Sequence, residues 1–130
     1  MITPSPISSP RFFPAAKILS IGNDPSLLDS NTAILTGAGY QVTPVTLQQT
    51  LKSIDSEHFD AVVLCHSLKA GEAQAVLSLI RSSFRFDIPI IQIYARTPDP
   101  AFRFSAPSYN PANLLSVVGW AMRRDLRASA

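Results

Sequence analysis

Five short runs of aliphatic and β-branched residues alternate in this chain with stretches whose apolar side chains recur every three to four positions. Few folds accept that order. Lys17–Ile21 (KILSI), Tyr40–Val45 (YQVTPV), Ala61–Cys65 (AVVLC) and Ile88–Tyr94 (IPIIQIY) have strand character. A fifth strand, around Phe102–Ala106, must be short, because the surrounding Arg96–Pro107 (RTPDPAFRFSAP) carries three prolines and no helical period. Ala61–Cys65 is apolar at every position, as a strand covered on both faces requires, and is expected at the centre of a parallel sheet. Pro44 lacks an N–H, which confines the second strand to an edge or places the proline at a strand end.

The intervening segments carry helix punctuation. Asp24 followed by Pro25 supplies an N-cap and a first-turn proline, and Leu27, Leu28, Asn31, Ile34, Leu35 and Ala38 follow at helical spacing, predicting a helix from Pro25 to about Ala38 that Gly37-Ala38-Gly39 ends. Thr46 can cap a second helix with Leu47, Leu51 and Ile54 on its inner stripe. Glu72–Ser82 buries Ala73, Val76, Leu77 and Ile80. Asn113–Arg127 turns Leu114, Leu115, Val118, Ala121, Met122 and Leu126 inward, with Arg123, Arg124 and Arg127 at the end where the helix dipole favours cations. Strand and helix alternating in this way predict an α/β, three-layer sandwich with right-handed crossovers. Ligands of such sheets sit beyond the carboxyl ends of the strands. Ser20–Ser26, Cys65–Lys69, Tyr94–Thr97 and Pro107–Asn110 are therefore the segments where chemistry is expected.

With 130 residues, 46% of them hydrophobic, the chain can build one core but not two. Residues 1–14 (MITPSPISSPRFFP) have only Phe12 and Phe13 as bulky anchors and are expected to form a flexible tail ahead of a domain spanning 15–130. The single cysteine, Cys65, excludes an intramolecular disulfide and a cysteine-built zinc site. A net charge of +2 gives no strongly basic surface, so no nucleic-acid partner is expected. The chain lacks an apolar run of about 18 residues and the order of a signal peptide, so a cytoplasmic protein without membrane contact is expected.

Lys17–Val42 (KILSIGNDPSLLDSNTAILTGAGYQV), Phe59–Leu68 (FDAVVLCHSL), Asp87–Ala95 (DIPIIQIYA) and Tyr109–Val118 (YNPANLLSVV) resemble, in order and spacing, successive segments of the receiver domains of two-component response regulators. The resemblance runs from Ala15 to Arg127. It implies a flavodoxin-like, CheY-like (βα)5 fold with strand order 2-1-3-4-5, here with the fourth helix shortened or missing, and a place in phosphorelay signalling. No output domain is expected after the fifth unit.

The chemistry that the resemblance implies is replaced residue by residue. Receivers use two acidic residues after the first strand to hold Mg²⁺, a carboxylate nucleophile on the third strand, a hydroxyl after the fourth and a lysine after the fifth. Here those positions fall on Gly22 and Asn23, Cys65, Tyr94, and Pro107 or, with a different gap, Tyr109; no lysine follows Lys69. Asp24 is the one acid left near that edge, and its N-cap position accounts for it. Asp60 begins the central strand, roughly 16 Å before Cys65 at strand rise. The expected pocket is neutral, with no Mg²⁺, other metal or cofactor, and with the Tyr94 ring covering it or turned against the last helix.

These replacements predict a stand-alone pseudo-receiver that is not an enzyme, is not phosphorylated and acts through protein contacts. An alternative is a thiol-based sensor or enzyme centred on Cys65. It needs a neighbour that lowers the thiol pKa, and adjacent His66 points away if the strand continues through both. A third reading, a nucleotide or flavin binder, lacks a phosphate loop, since Ser20-Ile21-Gly22-Asn23-Asp24 is neither a GxGxxG nor a Walker sequence. On the last helix, Val117 and Trp120 form a second apolar stripe continuous with Arg124. Receivers commonly pair through their fourth and fifth units, and Trp with Arg is a hot-spot composition, so these three residues are the expected contact with a homodimer mate or other protein.

Overall fold

The computed structural model describes residues 16–50, 59–82, 88–108 and 110–129. The expected N-terminal tail with Phe12 and Phe13, the inner positions Leu51 and Ile54, and Tyr109 lie outside the described residues. Strands β1 (Lys17–Ile21), β2 (Gln41–Val45), β3 (Ala61–Leu64), β4 (Ile90–Tyr94) and β5 (Phe104–Pro107) form one sheet in the order β2-β1-β3-β4-β5. Every neighbouring pair is parallel. That is the sequence-predicted topology. Pro44 lies on the edge strand β2, where the absent N–H costs no central ladder bond.

Helix α1 (Pro25–Gly37) starts as its Asp-Pro signature predicts: the Asp24 carboxylate Oδ1 accepts from the amides of Ser26 at 3.0 Å and Leu27 at 3.4 Å. It ends in a Schellman arrangement, with Tyr40 N donating to Leu35 O and Gly39 N to Thr36 O. Gly39 has φ +101°, a conformation that a Cβ makes costly. Thr46 and Gln49 exchange a capping box at the start of the helical turn 47–50. Helix α2 (Ala70–Ser82) follows β3, and α3 (Pro111–Ser129) closes the described chain.

Two cores lie on opposite faces of the sheet. Ile18, Ala61, Val63, Ile91, Ile93, Phe104 and Ala106 pack with Leu35 of α1 and Leu114, Val118 and Ala121 of α3. The alternate strand residues Leu19, Ile21, Val62, Leu64 and Ile90 pack with Val76 and Ile80 of α2. Burial on both faces is why β3 has no polar position. Among the described residues no helix is long and apolar enough to cross a membrane.

Several boundaries differ from the sequence reading. β3 ends at Leu64, although the Cys65 amide still donates to Ile21 O at 2.8 Å. β4 starts at Ile90 because Pro89 has no N–H; only its carbonyl joins the ladder, accepting from Val62 N. β5 covers Phe104–Pro107, not Phe102–Ala106, since a turn between Asp99 O and Phe102 N holds Phe102 outside the strand. α3 begins two residues before Asn113, with the Asn110 side chain capping Asn113 N and Pro111 in the first turn. Residues 95–103 form bends and turns and no helix, as expected from their prolines.

Candidate functional site

The crevice beyond the carboxyl ends of β1 and β3 is filled by the chain itself. Cys65 follows β3 on the α1 side of the sheet and is 2% exposed. Its Sγ accepts a hydrogen bond from Asn31 Nδ2 on α1 at 3.0 Å and lies 3.8 Å from the buried Ser20 Oγ. Gly22 is buried against it: a Cβ at position 22 would meet Cys65 Cβ at 2.9 Å, Cys65 Sγ at 3.1 Å and Ser67 Oγ at 3.1 Å. No side chain larger than hydrogen fits there without displacing Cys65 or Ser67.

The loops after β1 and β3 are then stitched over this contact. Ser67 Oγ accepts from the amides of Asn23 at 3.0 Å and Asp24 at 3.4 Å. Asn23 Nδ2 donates to Glu72 Oε1 at 3.1 Å, and the same oxygen accepts from Lys69 N at 2.9 Å, where it also caps α2. Gly22, Asn23 and Cys65 thus lie together at this edge, and their hydrogen bonds are spent on the fold.

Burial pushes the Cys65 thiol above the ordinary thiol range, against a smaller opposing effect of the hydrogen bonds from Asn31 and Ser20. Among the described residues no cation contributes to that balance. At neutral pH the group is a protonated thiol, a weak nucleophile and a poor ligand. The donor set also does not suit Mg²⁺, which takes hard oxygen ligands, usually including one or two carboxylates. The positions in question offer a glycine, an amide already donating to Glu72 and a thiol, while Asp24 is occupied as the α1 cap. Among the described residues no group of three His, Cys, Asp or Glu could hold a metal ion.

Tyr94 and Pro107 lie farther along the sheet edge. They are register partners at the ends of β4 and β5, and Ser108 N extends the pairing by donating to Tyr94 O. Tyr94 is half-buried and lines an open cavity of about 200 Å³ between the ends of β3 and β4, with Cys65, His66, Leu68, Thr97 and Asp99 among the other wall residues. Tyr94 thus forms part of a wall on the β3–β4 side of this edge. His66 Nδ1 is buried beside this cavity with no hydrogen-bond partner among the described residues.

Sequence reasoning missed the residues that close the crevice. The helical period sets Asn31 on the inner stripe of α1 among leucines, and a polar residue at an apolar period is the available signal. Gln92, amid Ile90, Ile91 and Ile93, was another: 8% exposed, it bonds to the β4–β5 connection. Ser67 falls within the Cys65–Lys69 segment, but nothing in the local sequence marks its hydroxyl, or Glu72, as a tie across the crevice.

On α3, Trp120 is 46% exposed and meets the Phe104 ring edge-on at 5.3 Å. Arg103 covers the same Phe104 ring, its guanidinium carbon 5.7 Å from the centroid. Val117 instead packs, half-buried, against the α1–α3 core, so it supports the helix rather than extending the exposed stripe. The Arg124 side chain lies outside the described residues.

No protein-family model and no curated protein matches the chain. Solved structures do. The chemotaxis response regulator CheY4 of Vibrio cholerae superposes with a TM-score of 0.72 at 17% identity, covering 82% of this chain and 98% of that one. The fold is that of a response-regulator receiver domain. A CheY-like receiver domain protein of Methanospirillum hungatei gives a TM-score of 0.74 at 19% identity over 88% of this chain and 98% of its own. The receiver domain of a Pseudomonas aeruginosa sensor histidine kinase, with a magnesium ion coordinated in its active-site cleft, gives 0.72 at 19% identity over 83% and 98%. The receiver fold here spans all five strands.

Proposed function

We propose that this chain is a pseudo-receiver: a cytoplasmic signal-transduction module that is not phosphorylated, binds no Mg²⁺, catalyses no reaction and acts through protein contacts. The receiver fold supports the signalling role, and one of its structural neighbours is the receiver domain of a sensor histidine kinase. The observation that carries the reading is the Gly22–Cys65–Ser67 contact. Aspartyl phosphorylation needs a carboxylate oxygen in line with the phosphorus and a cation on the phosphoryl oxygens. On the sequence resemblance the carboxylate position falls on Cys65, a buried thiol with a raised pKa, and the first metal-holding position on Gly22, which packs against it.

The raised thiol pKa argues against a redox or nucleophilic role for Cys65, and the missing phosphate loop against a nucleotide or flavin site. The surface that supports protein contact is the one around Trp120, with Arg103 and Phe104 beside it, while Val117 of the same helix packs half-buried against the core. Arg124, one turn on from Trp120 in α3, completes the proposed contact with a second copy or another protein. A calorimetric titration with Mg²⁺ tests the reading. No binding heat is expected at submillimolar concentrations, and a submillimolar site would overturn it.

A further inference from the structure

We infer that the connection between β4 and β5, residues 95–103, is a locked strut fastened to the sheet by Gln92, so that this edge of the protein presents one fixed surface. Gln92 sits in β4, flanked by buried Ile91 and Ile93 and itself 8% exposed. Both its donors and its acceptor are spent on neighbouring segments. Nε2 donates to Asp99 O at 2.7 Å and to Ser105 Oγ of β5 at 2.9 Å, and Oε1 accepts from Asp99 N at 3.2 Å. The side-chain amide thus grips Asp99 by both backbone groups, as a neighbouring strand would.

The Asp99 carboxylate extends the grip outward. Oδ1 accepts from Ala101 N at 2.9 Å and closes the turn that leads to Phe102, while Oδ2 accepts from Gln74 Nε2 of α2 at 2.8 Å. Phe102 then buries its ring with the α2-side core. Lifting the connection off would leave the buried Gln92 amide with unmet hydrogen bonds and would expose Phe102. Those costs fall together, so the segment has one favoured position. Two prolines, Pro98 and Pro100, flank Asp99 and restrict its alternatives. The lock also explains how a segment without a helix forms a wall of the cavity beside Tyr94.

α2 anchors both sides of the carboxyl edge through its first turns: Glu72 holds the β1 loop and Gln74 holds the β4–β5 connection. The strut stands independently of the pseudo-receiver reading, since it needs neither phosphorylation nor its absence.

Residue-resolved amide hydrogen exchange on the full chain tests the lock. In the parent protein the Asp99 amide is expected to be protected although its segment has no regular secondary structure. Gln92→Leu keeps an apolar-compatible strand position and removes all three bonds, and should speed exchange at Asp99 at least tenfold while leaving the amides of β1 and α1 unchanged. Asp99→Ala loses the outer bonds and keeps the Gln92 grip, so exchange should rise several-fold at Ala101 while the amide at position 99 stays protected; that pattern carries the test if Gln92→Leu does not fold. An unprotected Asp99 amide in the parent, or unchanged protection in both variants, overturns the inference. A phospho-adduct found on a protein whose Asp99 amide stays protected would sink the pseudo-receiver reading and leave the lock standing.

Discussion

Replacing Gly22 with alanine puts one methyl group where the crevice has no room for it. The new Cβ would lie 2.9 Å from Cys65 Cβ, closer than such atoms approach, and 3.1 Å from both Cys65 Sγ and Ser67 Oγ. Ser67 can rotate its hydroxyl away at the expense of its bonds to Asn23 and Asp24. Cys65 Cβ cannot, because its backbone amide is tied to Ile21 O at 2.8 Å. Overpacking of this kind costs about 1–3 kcal/mol. Alanine also lowers the entropy of the unfolded chain, which returns about 0.4–1 kcal/mol. The difference leaves a net destabilisation near 1 kcal/mol, or about 3–6 °C in Tm for a domain of this size. Thermal and urea unfolding of Gly22→Ala measure it. The same substitution made in a Cys65→Gly background, where the Cβ and Sγ contacts are gone and only the rotatable Ser67 hydroxyl stays close, should cost markedly less. A Gly22→Ala protein as stable as the parent, or an equal loss in both backgrounds, would refute the reasoning that Gly22 and Cys65 close the crevice by contact.

Cys65 should react slowly with iodoacetamide at neutral pH, with a rate that climbs only above the ordinary thiol range of about pH 8.5; fast labelling at pH 7 would contradict its burial. Because its folded pKa is raised, the unfolded chain loses that proton first, so the thiol's contribution to stability is full below about pH 8.5 and is lost as pH rises. The Tm advantage of the parent over Cys65→Ser should accordingly shrink between neutral and alkaline pH, and a constant difference would count against the assignment. Trp120→Ala is expected to lower the solution mass or weaken partner capture while costing little stability, since the ring is 46% exposed and rests on Phe104 by its edge. If both mass and stability stay unchanged, Trp120 is neither interface nor core.

The fold was written in features that act locally: the Asp24-Pro25 cap, the glycines after α1, and apolar runs of strand length. Each of these fixes a boundary or a face without knowledge of the rest of the chain. The start of α3 shows the same logic overlooked, for Asn110-Pro111 repeats the Asp24-Pro25 signature, and the helix begins there. The fifth strand was harder to place because its limits depend on the turn at Asp99–Phe102, which Gln92 secures from another strand.

The candidate site divides in the same way. That Gly22, Asn23 and Cys65 would share one edge followed from the order of the strands. What they do there did not, because the closure depends on contacts across 34 to 49 positions of sequence: Asn31 with Cys65, Asn23 with Ser67 and Asn23 with Glu72. Val117 illustrates the limit of helical periodicity. Its spacing from Trp120 put both on one stripe, yet the breadth of the α1–α3 core reaches Val117 and leaves only Trp120 substantially exposed.

The most direct test of the central claim is incubation of the intact protein with acetyl phosphate and Mg²⁺, followed by intact mass measurement. With no carboxylate at position 65 and a closed β1–β3 crevice, the mass is expected to stay unchanged. A stable phospho-adduct that requires Mg²⁺ would contradict the account.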